Sequence, residues 1–135
     1  MNTLLKITGQ VAHPLELTFE SFRQIAPDQQ VDMSEIDERR RGRAVKLGAL
    51  LDQSQPSAEA KQLKLIGSAD GYESVISLAL VRERGLVIYE IDGAPLPKSA
   101  GGPTRFFIRD HSACNVTELD ACANVKFLDC IELIQ

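Results

Sequence analysis

Two β-rich runs, LVIYEI at residues 86–91 and TRFFI at 104–108, are separated by DGAPLPKSAGGP, which carries three prolines and three glycines. Proline lacks an amide proton and glycine weakens both helix and strand, so this link is neither a helix nor an interior strand. The chain must therefore fold around a β-framework that accommodates a stiff, wide connection. Two readings are open. The link is a corner in which Pro and Gly only turn the chain, or it holds a backbone wall and Arg105 against a ligand. In the second reading Gly101 and Gly102 let backbone approach a bulky group and Pro103 removes rotational freedom. The guanidinium of Arg105 would then grip an anion through its planar fork.

The rest of the chain supplies the framework. Alternation of Leu5 and Ile7 with Lys6 and Thr8 predicts a first strand ending at Gly9. Thr18 is placed to cap a short helix in which Phe19, Phe22 and Ile25 have helical spacing and which Pro27 stops. QQVDMSEI is a second strand, and Leu47, Leu50 and Leu51 mark one face of a short helix. QLKLIGSADGYES reads as a strand broken by a turn, and LALVRERG as a helical turn closed by Gly85. LVIYEI, apolar almost throughout, is a buried strand; TRFFIRD and VKFLDCIELI are the last two. In the final run neither face is purely apolar, so alternation does not assign its orientation. Strands outnumber short helices, and the class is α+β with a mixed sheet.

At 135 residues, without repeats or low-complexity segments, the chain reads as one domain, 1–135. A net charge of −4 disfavours an electrostatic grip on nucleic acid or an anionic membrane. With no Trp and 5% aromatic residues, a base-stacking platform is poorly supplied. The opening MNTLLKITGQVAHPLELT has neither the apolar core nor the cleavage site of a signal peptide, which leads us to expect a cytoplasmic protein with reduced thiols.

Arg39, Arg40, Arg41 and Arg43 form the one basic cluster, flanked by Glu35, Asp37 and Glu38. It reads as a solvated loop, with a phosphate contact as the alternative. Cys114, Cys122 and Cys130 are separated by seven residues each, with His111 just ahead of the first. The spacing is wider than that of zinc knuckles, so the metal signal is weak. Cys130 reads as a small strand residue, whereas Cys114 and Cys122 remain candidates for thiols, a redox disulfide or metal ligands. No nucleotide-binding loop and no hydrolytic triad can be placed.

The order of LKITGQVAHPLELTFESF, VKLGALL, LIGSADGY, LVIYEIDGAPLPKSAGGPTRFFI and NVKFLDCIEL resembles the molybdopterin-binding domain of the sulfite oxidase family. The resemblance spans nearly the whole chain apart from residues 35–43 and 109–123. Its most specific element is Asp-Gly-x-Pro-Leu-Pro followed by Gly-x-Pro-x-Arg, at 92–97 and 101–105. The resemblance implies an α+β domain with a mixed sheet partly rolled into a barrel and an anionic cofactor pocket. It implies that Gly101, Gly102 and Pro103 lie against the pterin phosphate, that Arg105 and Lys126 face it, and that Asp70 lies near the pterin. Without the analogy, Asp70 is an Asx-turn residue and Lys126 a solvent-facing strand residue. The family's molybdenum is held by one cysteine, which would fall near Met33 or Ser34; no cysteine precedes Cys114.

The expected function is thus binding of molybdopterin or a related anionic pterin through Asp70, Gly101, Gly102, Pro103, Arg105 and Lys126. No catalytic residue and no protein metal ligand is assigned, and sulfite-oxidase-type catalysis is expected to be weak or absent. The alternatives are a cofactor-free interaction module on the same fold, self-associating or bound to a partner protein, and a thiol redox or metal site at Cys114 and Cys122.

Overall fold

A computed structural model describes residues 3–36, 41–69, 71–108 and 125–135. Among the described residues ten strands fall into two open sheets. The first has the order β2-β1-β10-β5-β6, with β1 Leu5–Gly9, β2 Leu15–Leu17, β5 Gln62–Gly67, β6 Tyr72–Ser77 and β10 Cys130–Ile134. It is mixed, as expected: β1 and β10 run parallel, with Lys6 opposite Cys130 and Gly9 opposite Leu133, and its other pairings are antiparallel. The second runs β3-β4-β7-β8, from β3 Gln30–Asp32, β4 Arg43–Lys46, β7 Gly85–Ile91 and β8 Ala94–Pro95, and β9 Arg105–Ile108 also pairs with β7.

Among the described residues three short α-helices close the framework. Helix α1 Phe19–Arg23 begins in a reciprocal cap: Ser21 N–H donates to Thr18 Oγ1 at 3.2 Å and Thr18 N–H to Ser21 Oγ at 3.1 Å. Helix α2 Leu47–Ser54 buries Leu47, Leu50 and Leu51, the face marked by their spacing, and stops where Gln55 turns left-handed at φ 54°. Helix α3 Leu78–Val81 is a single turn. Gly85 does not close it, contrary to expectation. Arg82 is its C-cap, and Gly85 already opens β7 opposite Ile108.

Both sheets contribute to one core, with Leu5, Ile7, Leu63, Leu65, Ile131 and Leu133 from the first and Val45, Val87, Tyr89, Phe106 and Ile108 from the second. A second apolar cluster of Met33, Ala44, Leu86, Ile88, Leu96 and Phe107 involves the alternate residues of the second sheet. Strand β7 is therefore buried on both faces, which is why its sequence is apolar almost throughout. Burial of each such Leu or Ile contributes about 1.5–3 kcal/mol. Tyr89 is tied as well as packed: its hydroxyl donates to Gln30 Oε1 at 2.7 Å, and its ring stacks on Phe22 at 4.9 Å. Gln30 in turn donates through Nε2 to the carbonyls of Phe22 and Ile25, fastening the end of α1 to β3.

The predicted second strand is shorter than QQVDMSEI. It ends at Asp32, whose carboxylate accepts from Ser34 N–H and begins a 3-10 turn over Met33–Glu35. The final run is also only half strand, because Phe127 takes a left-handed φ of 55° and breaks the alternation before Cys130. Among the described residues no helix is long and apolar enough to cross a membrane.

Candidate anion-binding site

The stiff connection is an excursion from a strand. Leaving β7, the chain turns at Asp92-Gly93 and returns along the same edge as β8, with Pro95 opposite Glu90 and Leu96 N–H donating to Tyr89 O at 3.1 Å. The next step of the ladder is taken by Arg105, opposite Ile88. Residues 97–104 are thus looped out between two adjacent rungs of one returning strand.

The loop is closed by its own backbone. The amides of Ala100 and Gly102 donate to Pro97 O and that of Gly101 to Lys98 O, all within 3.0 Å. The Gly102–Pro103 peptide is cis. Gly101 sits at φ 98°, where side chains are strained, and the space its Cβ would take belongs to the stem of Arg105, with Cδ at 2.5 Å and Cγ at 2.8 Å. A Cβ on Gly102 would collide with the carbonyl of Leu96. Both glycines are therefore required by approaches within the chain itself. Arg105, half-buried, lies across the turn, and its Nη1 donates to Ala100 O at 3.5 Å.

The segment carrying Lys126 is fastened to this loop. Phe127 N–H donates to Gly101 O at 2.8 Å, Leu128 N–H to Thr104 O at 2.8 Å, and Phe106 N–H to Val125 O at 2.9 Å. The hydroxyl of Thr104, which is wholly buried, donates to Leu128 O at 2.6 Å. Lys126 itself is exposed. Two residues beyond Phe127, Asp129 accepts from Ser68 through N–H at 3.2 Å and Oγ at 3.0 Å, which binds the Ser-Ala-Asp-Gly turn to the same segment. Asp70 in that turn lies outside the described residues. The structure thus brings together the backbones of Gly101, Gly102, Pro103, Arg105 and Lys126. Thr104 and Asp129 were not singled out from sequence, and their signal was only adjacency to the motifs.

The early position matched to a metal ligand is different in character. Met33 is fully buried in the second apolar cluster, and Ser34 turns its hydroxyl onto Asp32 Oδ1 at 2.7 Å. These hydrogen bonds hold the Asp32 carboxyl below its ordinary range. Beside it lies a shallow polar groove of about 160 Å³ lined by Asp32, Gly42, Arg43, Glu90 and Asp92. Arg41 pairs with Asp92 there, and Arg43 stands opposite Glu90. That half of the basic cluster faces acids; Arg39 and Arg40 lie outside the described residues, as do His111, Cys114 and Cys122. Cys130 is a half-buried free thiol beside Thr8 Oγ1 at 3.8 Å, and burial raises its pKa. Among the described residues no group of three or more His, Cys, Asp or Glu is placed to hold a metal.

The framework around this loop is a mixed, two-sheet α+β domain, with the lysine segment clipped to the Gly-Pro turn. Residues 43–135 match the model of the oxidoreductase molybdopterin binding domain, and the chain belongs to that family. Among solved structures, the sulfane dehydrogenase SoxCD from Paracoccus pantotrophus has the same fold, with a TM-score of 0.71 at 18% identity. The match covers 98% of this chain and 38% of that one. No curated protein matches the chain.

The residues fit the two ends of the family's cofactor unequally. Arg105 and Lys126 supply positive charge suited to a phosphate. At the metal end, the resemblance would place a thiolate near Met33 or Ser34; Met33 is enclosed by apolar neighbours and the Ser34 hydroxyl is bonded to Asp32.

Proposed function

We propose that this domain binds molybdopterin, or a related anionic pterin, at the loop formed by Gly101, Gly102 and Pro103, with Arg105 and Lys126 as the cations for its phosphate. The observation that supports this reading is the set of hydrogen bonds fastening the Lys126 segment onto the loop that carries Arg105. A strand connection acting only as a corner has no need of a second, distant segment bearing a cation.

In this reading Arg105 offers a guanidinium held on a rigid turn, and exposed Lys126 adds a mobile point charge. Asp70 is assigned the role of accepting from pterin N–H groups. When bound, the cofactor supplies redox chemistry at a dithiolene-held molybdenum. No thiolate is offered at Met33 or Ser34, so we draw no catalytic step and expect sulfite-oxidase-type turnover to be weak or absent. A carrier or storage role follows if pterin is held without the metal. The plainer reading, a cofactor-free interaction module, draws on the glycine spaces, which are already filled by Arg105 and Leu96.

The deciding experiment is purification from a host that makes the cofactor, with elemental analysis for molybdenum and zinc and fluorescence of the released, oxidised pterin. Near-stoichiometric pterin in the native protein, lost in Arg105→Ala, is expected. Native protein without pterin overturns this assignment in favour of the interaction module.

A further inference from the structure

Ser54 and Thr104 are the buried polar side chains among the described residues, and they are used differently. Ser54 Oγ makes a 3.4 Å contact with Leu51 O within its own helix. Thr104 Oγ1 instead reaches across to Leu128 O at 2.6 Å, beside the backbone bond from Leu128 N–H to Thr104 O at 2.8 Å. The two bonds form a double clasp between strangers in sequence. One side is the residue immediately before Arg105; the other lies two residues after Lys126. A valine would fill much the same volume but leave the Leu128 carbonyl without this donor, so the hydroxyl serves the bond rather than the packing.

We propose that Thr104 is a positioning residue: its buried hydroxyl holds the Lys126–Phe127 turn at one fixed offset from Arg105, so that both cations act on a single phosphate. The inference rests on the reading above that these two residues hold an anion. Thr104 does not touch the ligand, because its side chain is wholly enclosed and spent on Leu128. Its neighbour Phe127 shows how closely the offset is set. That residue accepts a left-handed φ of 55°, uncommon for a bulky side chain, while donating to Gly101 O.

The test is titration of the full chain with inorganic phosphate at low salt, followed by amide NMR shifts of Gly101, Gly102 and Phe127. The variants are Thr104→Val, Thr104→Ser and Lys126→Ala, with Thr104→Val/Lys126→Ala as the double and Arg105→Gln as the site control. Thr104→Val should weaken phosphate binding about tenfold, the upper range of one lost neutral hydrogen bond, and Thr104→Ser should restore it. Lys126→Ala should cost several-fold in the native background and almost nothing in Thr104→Val, because the lysine is already displaced there. Should the valine variant fold poorly, Thr104→Cys, a weaker donor in the same place, carries the comparison.

Unchanged phosphate affinity in Thr104→Val overturns the proposal while leaving the anion site intact. So does an equal cost of Lys126→Ala in both backgrounds, which would make Thr104 purely structural. A native titration that Arg105→Gln does not alter removes the anion site itself, before any Thr104 variant is compared.

Discussion

The stem of Arg105 occupies the space that a side chain on Gly101 would need: a Cβ there would lie 2.5 Å from Cδ and 2.8 Å from Cγ of the arginine. Gly101→Ala should therefore displace the guanidinium and also carry the strain of a left-handed alanine at φ 98°. Urea denaturation is expected to show a loss of about 1–3 kcal/mol. Adding Arg105→Ala should recover part of that loss by emptying the contested space. If the two costs simply add, the arginine is not what confines this glycine.

Gly102→Ala should do more damage. The atom in its way is the carbonyl of Leu96, part of a backbone hydrogen-bonded to Tyr89, so a rotamer change offers no relief. The expected cost is about 3 kcal/mol, as in overpacked cores. A variant with native stability would show that the loop yields easily, and that its closed backbone is not a rigid wall.

Burial, and secondarily the charge of Glu90, push the Tyr89 phenol above its ordinary pKa. The folded state thus holds that proton more tightly than the unfolded chain. Its contribution is present below the ordinary tyrosine value of about 10 and is lost as pH rises through the folded value. As pH rises above about 10 the native protein should lose stability more steeply than Tyr89→Phe. Near neutrality the phenylalanine variant should be weaker by about 0.5–1.5 kcal/mol, through the lost bond to Gln30. Parallel pH profiles would mean that this phenol does not govern the alkaline response.

Met33→Cys puts a thiol at one of the two positions, Met33 and Ser34, near which the resemblance would place the family's metal ligand. The side chain here is fully buried among Ala44, Leu86, Ile88 and Phe107, so the new thiol should be hidden. It should resist iodoacetamide in the native protein and react after denaturation, with a stability loss of about 1–3 kcal/mol from the vacated volume. Rapid native labelling would show that residue 33 can reach solvent and that the second cluster opens.

Much of the framework could be read directly. The alternation in LKITG, the cap at Thr18, the leucine spacing in α2 and the doubly buried run of β7 each obey a local rule, and each is found in place. What escaped was non-local. The split of one returning strand into β8 and β9 depends on which rungs of β7 they meet, and no spacing in the sequence encodes that. Likewise VKFLDCIELI mixes two regimes, an irregular clasp onto Thr104 and then a strand, so no single period describes it. The glycines were singled out for a ligand, whereas the neighbours that require them are Arg105 and Leu96. Thr104 carries no signal beyond adjacency, since a threonine beside a motif looks the same whether its hydroxyl meets water or a carbonyl.

The parallel pairing of β1 with β10 has a consequence for how the molecule is made. Strand β10 stands between β1 and β5, so the strands of the first sheet synthesised before it can form only two separate hairpins, β1-β2 and β5-β6, with no shared edge. Each hairpin alone is marginal in water. On the ribosome the first sheet therefore has to wait for its centre, and the nascent chain carries two unpaired apolar edges until that strand arrives. The clasp at Thr104 is drawn from the same late stretch. A ligand pocket built there comes into existence together with the sheet, in a single closing event.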